Sequence, residues 1–306
     1  MNTRESRQSF QVVFAIAAVL VIAATITLRH AARLGYTWSL SLFILPIIAL
    51  GCWFAWRKDL QFPRAAFWRT IAVLAPLGFA LDLFFGNAFF SFPNKEATLG
   101  LNIPARGGGI PIEEFVFYLT GFMLTLLSYI WCDEYWLAAY NEPDYSAATK
   151  DLPRIVRFHF SSMLLGVVLI IAAVVYRKFF SGMPAGFPWY LVYLTCASLI
   201  PSIGFLHTAR DFINWRAFAF TFFLLLLISL LWEVTLALPN EWWAFRDQSL
   251  IGVKISAWSG LPIEEPCVWM AVTFTTIIVY EVIKIWKALG RGALHAFFGI
   301  APLRFP

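Results

Sequence analysis

The chain has 306 residues and a formal charge of +5, with 60% hydrophobic and only 13% charged residues and a mean hydropathy of +0.72. Soluble domains run near half apolar and a quarter charged, and 31 Phe, 14 Trp and 10 Tyr are too many for a water-soluble core of this size, which excludes a soluble enzyme, a disordered tail and a disulfide scaffold. The basic residues sit in short loops between apolar runs rather than in a stripe, so nucleic acid is excluded as a partner and the lipid bilayer is the expected one.

Crossing a bilayer takes about 20 apolar residues. In chain order, residues 8–28, 34–56, 115–132, 158–176 and 179–209 contain no Asp, Glu, Lys or Arg. Three more apolar runs carry one acid near an end: 70–88 with Asp82, 217–238 with Glu233, and 266–286 with Glu281. These give an all-α polytopic bundle of eight expected spans. The run 8–28 lacks a small-residue cleavage site and reads as a retained helix rather than a signal peptide. With the N-terminus inside, segments 1–7, 57–69, 150–157, 210–216 and 284–304 are cytoplasmic and hold 15 of the 23 Lys and Arg. Both termini are therefore expected in the cytoplasm of a bacterial cell, with the protein in the inner membrane. The tail from Gly290 to Pro306 is expected along the membrane interface. The four cysteines are dispersed without a CxxC pair and the four histidines are isolated, so neither suggests a metal site.

The tetrad Pro111-Ile112-Glu113-Glu114 recurs as Pro262-Ile263-Glu264-Glu265, 151 residues later. The same offset relates Trp38 to Trp189, Phe54 to Phe205 and Tyr129 to Tyr280, and it superposes Asp82 on Glu233. Two tandem four-helix membrane repeats are expected, 1–150 and 151–306, with the same topology about an axis along the membrane normal. On that topology Glu113, Glu114, Glu264 and Glu265 start helices at the outer membrane face. Asp82 and Glu233 lie roughly 20 and 25 Å along their helices from the inner face, at about 1.5 Å per residue. Six carboxyls thus converge on one layer.

Acids in hydrocarbon cost about 2.5–3.5 kcal/mol each on insertion scales and normally face the protein interior. An apolar surround favours the neutral form of a carboxyl, and a protonated carboxyl beside an apolar cavity is a general acid. The competing reading is capping: acids favour the first turn of a helix, and Pro111 and Pro262 suit helix starts. The duplicated tetrads, joined by Asp82 and Glu233, weigh for chemistry. The expected catalytic set is therefore Glu113, Glu114, Glu264, Glu265, Asp82 and Glu233, with Glu113 and Glu264 foremost.

The segment GGGIPIEEFVFY from Gly107 to Tyr118 resembles the PxE(E/D) signature of the lycopene cyclase domain, found in heterodimeric bacterial lycopene β-cyclases and in the cyclase half of the fungal bifunctional cyclase/phytoene synthase. The approach is also similar in both halves: an acid near a helix end, an aromatic stretch, Leu99-Gly100 or Ile251-Gly252, then the tetrad. The resemblance implies that the halves together build one site that closes β-ionone-type rings on a lipophilic polyene such as lycopene. It implies a redox-neutral isomerase (intramolecular lyase) without an organic cofactor or metal, with a homo-oligomer or a complex with other carotenoid enzymes left open. Two features depart from the pattern. Pro266 follows the second tetrad and disfavours helix at Glu265, so the second helix is expected to begin later with its glutamates pointing differently. Each half also has a leading helix beyond the three of the family's basic unit. The alternatives are a proton-initiated cyclase or hydratase of another isoprenoid, and a repeat-built transporter, which the scarcity of polar lining residues disfavours. A GxGxxG flavin site does not fit, since Gly107–Gly109 are expected to open a membrane helix.

Overall fold

The computed structural model describes residues 33–57 and 62–300. Among them seven helices are long and apolar enough to cross a membrane: α1 (Gly35–Trp56), α2 (Arg64–Phe89), α3 (Ile112–Trp136), α4 (Phe160–Phe179), α5 (Trp189–Ala209), α6 (Trp215–Ala237) and α7 (Glu264–Leu289). The expected span 8–28 lies outside the described residues. The protein is an all-α polytopic membrane bundle, and among the described residues its sheet content is limited to two-stranded ribbons at one end.

Burial separates the helices by position. In α3, 72% of the most apolar window is buried and in α7 56%, against 17% in α5. The central pair is therefore α3 and α7. On this pair α1 packs against α3 as α5 packs against α7, and α2 and α6 each bridge both central helices. Those contacts repeat at the 151-residue offset.

The loops at the acidic end carry the same correspondence. Strand β1 (Phe90–Ser91) pairs antiparallel with β4 (Ala244–Phe245), Phe90 opposite Phe245, and the Asn94 amide donates to the Glu241 carbonyl. At an offset of 151, residue 90 corresponds to 241 and residue 94 to 245, so exchanging the halves leaves this ladder unchanged. Before each glutamate pair lies a hairpin: β2 (Asn102–Ala105) with β3 (Gly108–Pro111), and β5 (Lys254–Ile255) with β6 (Leu261–Pro262).

Three local expectations are corrected. Gly107–Gly109 do not open a helix. Gly107 has φ +85° and Gly108 φ +151°, values that favour glycine, and they form the turn and first residues of β3, which delivers the chain to α3. Pro266 does not delay α7, which begins at Glu264. Proline falls in the first turn, where no intrahelical acceptor awaits its missing N–H. Finally, the charge-free run from 179 does not continue one helix: Gly182, at φ +69°, and Pro184 and Pro188 hold 180–188 as a loop, and α5 starts at Trp189.

At the opposite end of the central pair is a buried ionic cluster. Lys284 of α7 lies 3.3 Å from Asp133, 3.5 Å from Glu281 and 3.7 Å from Glu134. Tyr145 and Tyr129 donate to Glu281 at 2.5 and 3.0 Å. Asp133 and Lys284 are separated in sequence by 151 residues, so equivalent positions of the two halves carry opposite charges.

Candidate functional site

The second glutamate of each tetrad reaches the interior because the preceding hairpin ends in a proline outside the helix. Pro111, at φ −57° and ψ 142°, turns the extended β3 directly into α3, so Glu113 and Glu114 fall in the first turn on adjacent faces. Leu261-Pro262 does the same for Glu264 and Glu265. All four glutamates are buried.

Within each pair the two residues face different partners. Glu113 accepts from the Leu99 amide at 2.7 Å and from the Thr37 hydroxyl at 2.6 Å. Glu264 likewise accepts from the Ile251 amide. These residues clip the loop ahead of their own helix. Glu114 and Glu265 turn inward instead, toward tyrosines of the flanking helices: Tyr36 donates to Glu114 at 2.6 Å and Tyr190 to Glu265 at 2.9 Å.

Glu114, Glu265 and Glu233 line one small internal cavity of about 60 Å³ between α3, α6 and α7. Glu233 opens a π-helical turn, Glu233–Ala237, at the end of α6. Such a turn offsets the side chain from the regular helix face and recurs at functional sites. Its carboxylate accepts from the Trp269 indole at 3.3 Å and lies beside Glu265. Among the described residues no salt bridge reaches any of these three acids or Asp82. Asp82 is buried beside Tyr118 and Tyr193 and within electrostatic range of Glu114, but it does not line the cavity. Of the six expected residues, the cavity thus brings together three, Asp82 stands next to it, and Glu113 and Glu264 brace its rim.

The remaining walls are aromatic. Trp232 and Trp243 meet at 4.6 Å between ring centroids, Phe117 packs on Trp232 at 4.9 Å and on Trp269 at 5.7 Å, and Tyr36 sits 5.3 Å from Trp243. The site therefore combines acids able to give or take a proton with ring faces able to stabilise positive charge. Tyr36, Tyr190, Trp232, Trp243 and Trp269 were not singled out by the sequence. Tyr36 and Tyr190 both lie in the first turns of α1 and α5, but their counterparts at the 151-residue offset are Phe187 and Ser39, so the repeat does not mark them, and the tryptophans are indistinguishable in sequence from ordinary membrane aromatics.

The clips make a separable prediction. Glu264→Gln keeps an oxygen for the Ile251 amide, so we expect it to retain most ring-forming activity, within about tenfold, whereas Glu264→Ala strands a buried N–H at about 1–3 kcal/mol and loosens the loop. Protein yield and product per protein for the two variants check this; equal loss in both would mean that Glu264 acts in the chemistry.

The family model described as lycopene cyclase matches residues 34–132 and again residues 187–283. No curated protein and no solved structure matches the chain. The two matched regions take in α1 to α3 and α5 to α7 with both hairpins and both glutamate pairs, more than half of the sequence, and on that ground the chain belongs to the lycopene cyclase family.

Proposed function

We propose that this chain closes β-ionone-type rings on lycopene by acid-initiated cation cyclisation, with Glu265 and Glu233 holding the starting proton and Glu114 receiving the final one. The observation that carries this reading is three carboxyls, none salt-bridged among the described residues, around one aromatic cavity. Two adjacent carboxyl groups with no cation beside them resist being ionised together, which suits Glu233 and Glu265 to the acid role. The acid protonates the terminal trisubstituted double bond of the polyene and forms a tertiary cation. A neighbouring double bond attacks it, closing the ring and moving the charge into it. Loss of a ring proton to the Glu114 carboxylate leaves the ring alkene, and exchange with water then takes the proton from Glu114 and returns one to the Glu265 and Glu233 pair. The sum is an isomerisation, so the chain's own acids suffice without an organic cofactor. Trp232, Trp243, Trp269 and Phe117 supply cation–π stabilisation of about 0.5–2 kcal/mol each, and exclusion of water prevents capture of the cation as an alcohol.

Expression of the chain in a lycopene-accumulating host tests the substrate, with conversion to a β-ring carotene expected. The proton source is tested with purified protein and lycopene in deuterated water: one solvent deuteron per ring is expected at the protonated terminus. A product without deuterium would point to internal proton transfer, and a hydroxylated product to a hydratase.

We further propose that the halves, 1–150 and 151–306, are four-helix repeats, both with cytoplasmic termini and with the acids at the outer face. Single cysteines at 95 and 246 in a cysteine-free background should then react with a membrane-impermeant thiol reagent from the outside. Labelling of both from the cytoplasmic side alone would invert the topology.

A further inference from the structure

The two halves differ at one place that bears on how a long hydrocarbon reaches the acids. Between the outer ends of α2 and α5 runs an open groove of about 670 Å³, lined by Phe84, Phe85, Phe89, Trp189, Val192 and Tyr193. Its lining holds no carboxylate; Asn87 and Arg106 are its polar members. Phe84, Phe85 and Trp189 are exposed on it, toward the bilayer side of the bundle.

A single layer of rings separates this groove from the acidic cavity. Phe89 of the groove lies 5.0 Å, centroid to centroid, from Tyr190 of the cavity wall, and Phe90 lies 5.3 Å from the same ring. Tyr190 is also the donor to Glu265. The cavity, at about 60 Å³, is far smaller than the groove, at about 670 Å³, so an end group must enlarge it on entering. A ring-sized end group arriving from the groove must displace Phe89 and Tyr190, and displacing Tyr190 frees the Glu265 carboxyl.

At the corresponding place in the other half the groove is filled. The counterparts of Phe85 and Tyr193 at the 151-residue offset are Leu236 and Leu42, which are 0% and 1% exposed. They belong to a packed cluster with Trp232, Trp242 and Trp243. Trp242 lies so close to α1 that a Cβ on Gly35 would come within 2.5 Å of its ring. The tryptophans stand where the first half has Leu81, Ser91 and Phe92.

We infer that the groove between α2 and α5 is the seat of the tail of a linear C40 polyene hydrocarbon, whose end group enters the acidic cavity past Phe89 and Tyr190, and that the tryptophan-filled counterpart admits none. The occupant is argued from the position of the groove one ring layer from the cavity, from a mainly aromatic lining without a carboxylate and from an elongated apolar substrate; this inference rests on the cyclase reading above. Aromatic walls offer a hydrophobic chain large apolar contact area.

The test uses the full chain in lipid nanodiscs containing lycopene. A photoreactive benzoylphenylalanine at position 85 should give a coloured protein adduct on irradiation, and the same group at Ile200, exposed on α5 away from the groove, should give little. Val192→Trp and Ala88→Trp, which fill the groove, should raise KM for lycopene at least tenfold with kcat within about twofold, while Ile200→Trp leaves both unchanged. Equal adduct at 85 and 200, or unchanged KM in groove variants that accumulate normally, would overturn the inference. If neither variant accumulates, the adduct ratio decides. Glu265→Gln separates this inference from the catalytic one: it should lose turnover but keep the adduct at 85. A fully active Glu265→Gln would overturn the acid assignment and leave the groove standing.

Discussion

Glu265→Gln is expected to reduce ring formation by a factor of about 10²–10⁴, the usual contribution of a general acid or base, while the protein accumulates at its normal level. The amide matches the carboxyl in shape, still accepts the hydrogen bond that Tyr190 donates at 2.9 Å, and retains its place in the cavity. What it loses is the proton. Glu114→Gln should behave alike, since Tyr36 bonds it in the same way and it lines the same cavity. Glu233→Gln should fall between these variants and the wild type, because its neighbour Glu265 can still carry a proton when the Glu233 partner is an amide. The measurement is product per protein from membranes of a lycopene-accumulating host, with the level of each variant read by immunoblot. Wild-type conversion by both Glu265→Gln and Glu114→Gln would remove these residues from the chemistry and return them to a role at the helix start. Loss confined to Glu113→Gln and Glu264→Gln would assign the reaction to the outer member of each tetrad instead.

The two members of each tetrad are alike in sequence and have different partners in the structure. The repeated PIEE motif identifies four acids but does not separate the partners of the two members of a pair. Direction within the first helical turn is decided by the hairpins. Those hairpins are invisible to hydropathy, because strands of two to four residues such as Lys254–Ile255 are too short to show alternation. Gly107–Gly109 illustrate the same point: a glycine run next to an apolar segment has no periodicity, and only the positive φ of Gly107 and Gly108 reveals a turn. The long elements, by contrast, were legible because the bilayer imposes length and charge exclusion. The expected run 34–56 is α1 to within a residue, and 217–238 is α6 to within two. The acidic residue at the end of that run also marked Glu233, although nothing in the sequence signals the π-helical turn that aims it.

Lys284→Met is expected to destabilise the folded bundle by about 3–5 kcal/mol, the range for removing one partner of a buried ion pair. Lys284 is the one cation bonded to Asp133, Glu134 and Glu281 among the described residues; its side chain is 10% exposed and those of Asp133 and Glu281 are 0% exposed. Without the ammonium group, three acids face one another with neutral donors alone, Tyr129 and Tyr145 to Glu281, Asn214 beside Asp133 and Asn141 beside Glu134. The ammonium also lies 4.4 Å from the Tyr145 ring and 5.3 Å from the Tyr280 ring, contacts that a thioether replaces only in part. Because Asp133 and Lys284 stand at equivalent positions of the two halves, their charges can also be exchanged. The double variant Asp133→Lys, Lys284→Asp should recover a large part of the loss, since the pair re-forms with reversed direction between the same two helices, while Glu281 and Glu134 keep recovery incomplete. Lys284→Arg should recover less than a full exchange if packing against Tyr145 and Tyr280 matters as much as charge. Thermal unfolding in detergent, followed by loss of the monodisperse species, reads all four proteins. The opposite charges give each half a partner it cannot find in a copy of itself: two first halves would oppose Asp133 to Asp133, and two second halves Lys284 to Lys284. Separately expressed halves should therefore assemble as a mixed pair, and charge exchange in one half alone should abolish that assembly. An unchanged unfolding midpoint in Lys284→Met would mean that the cluster is solvated in the folded state and carries no such selectivity.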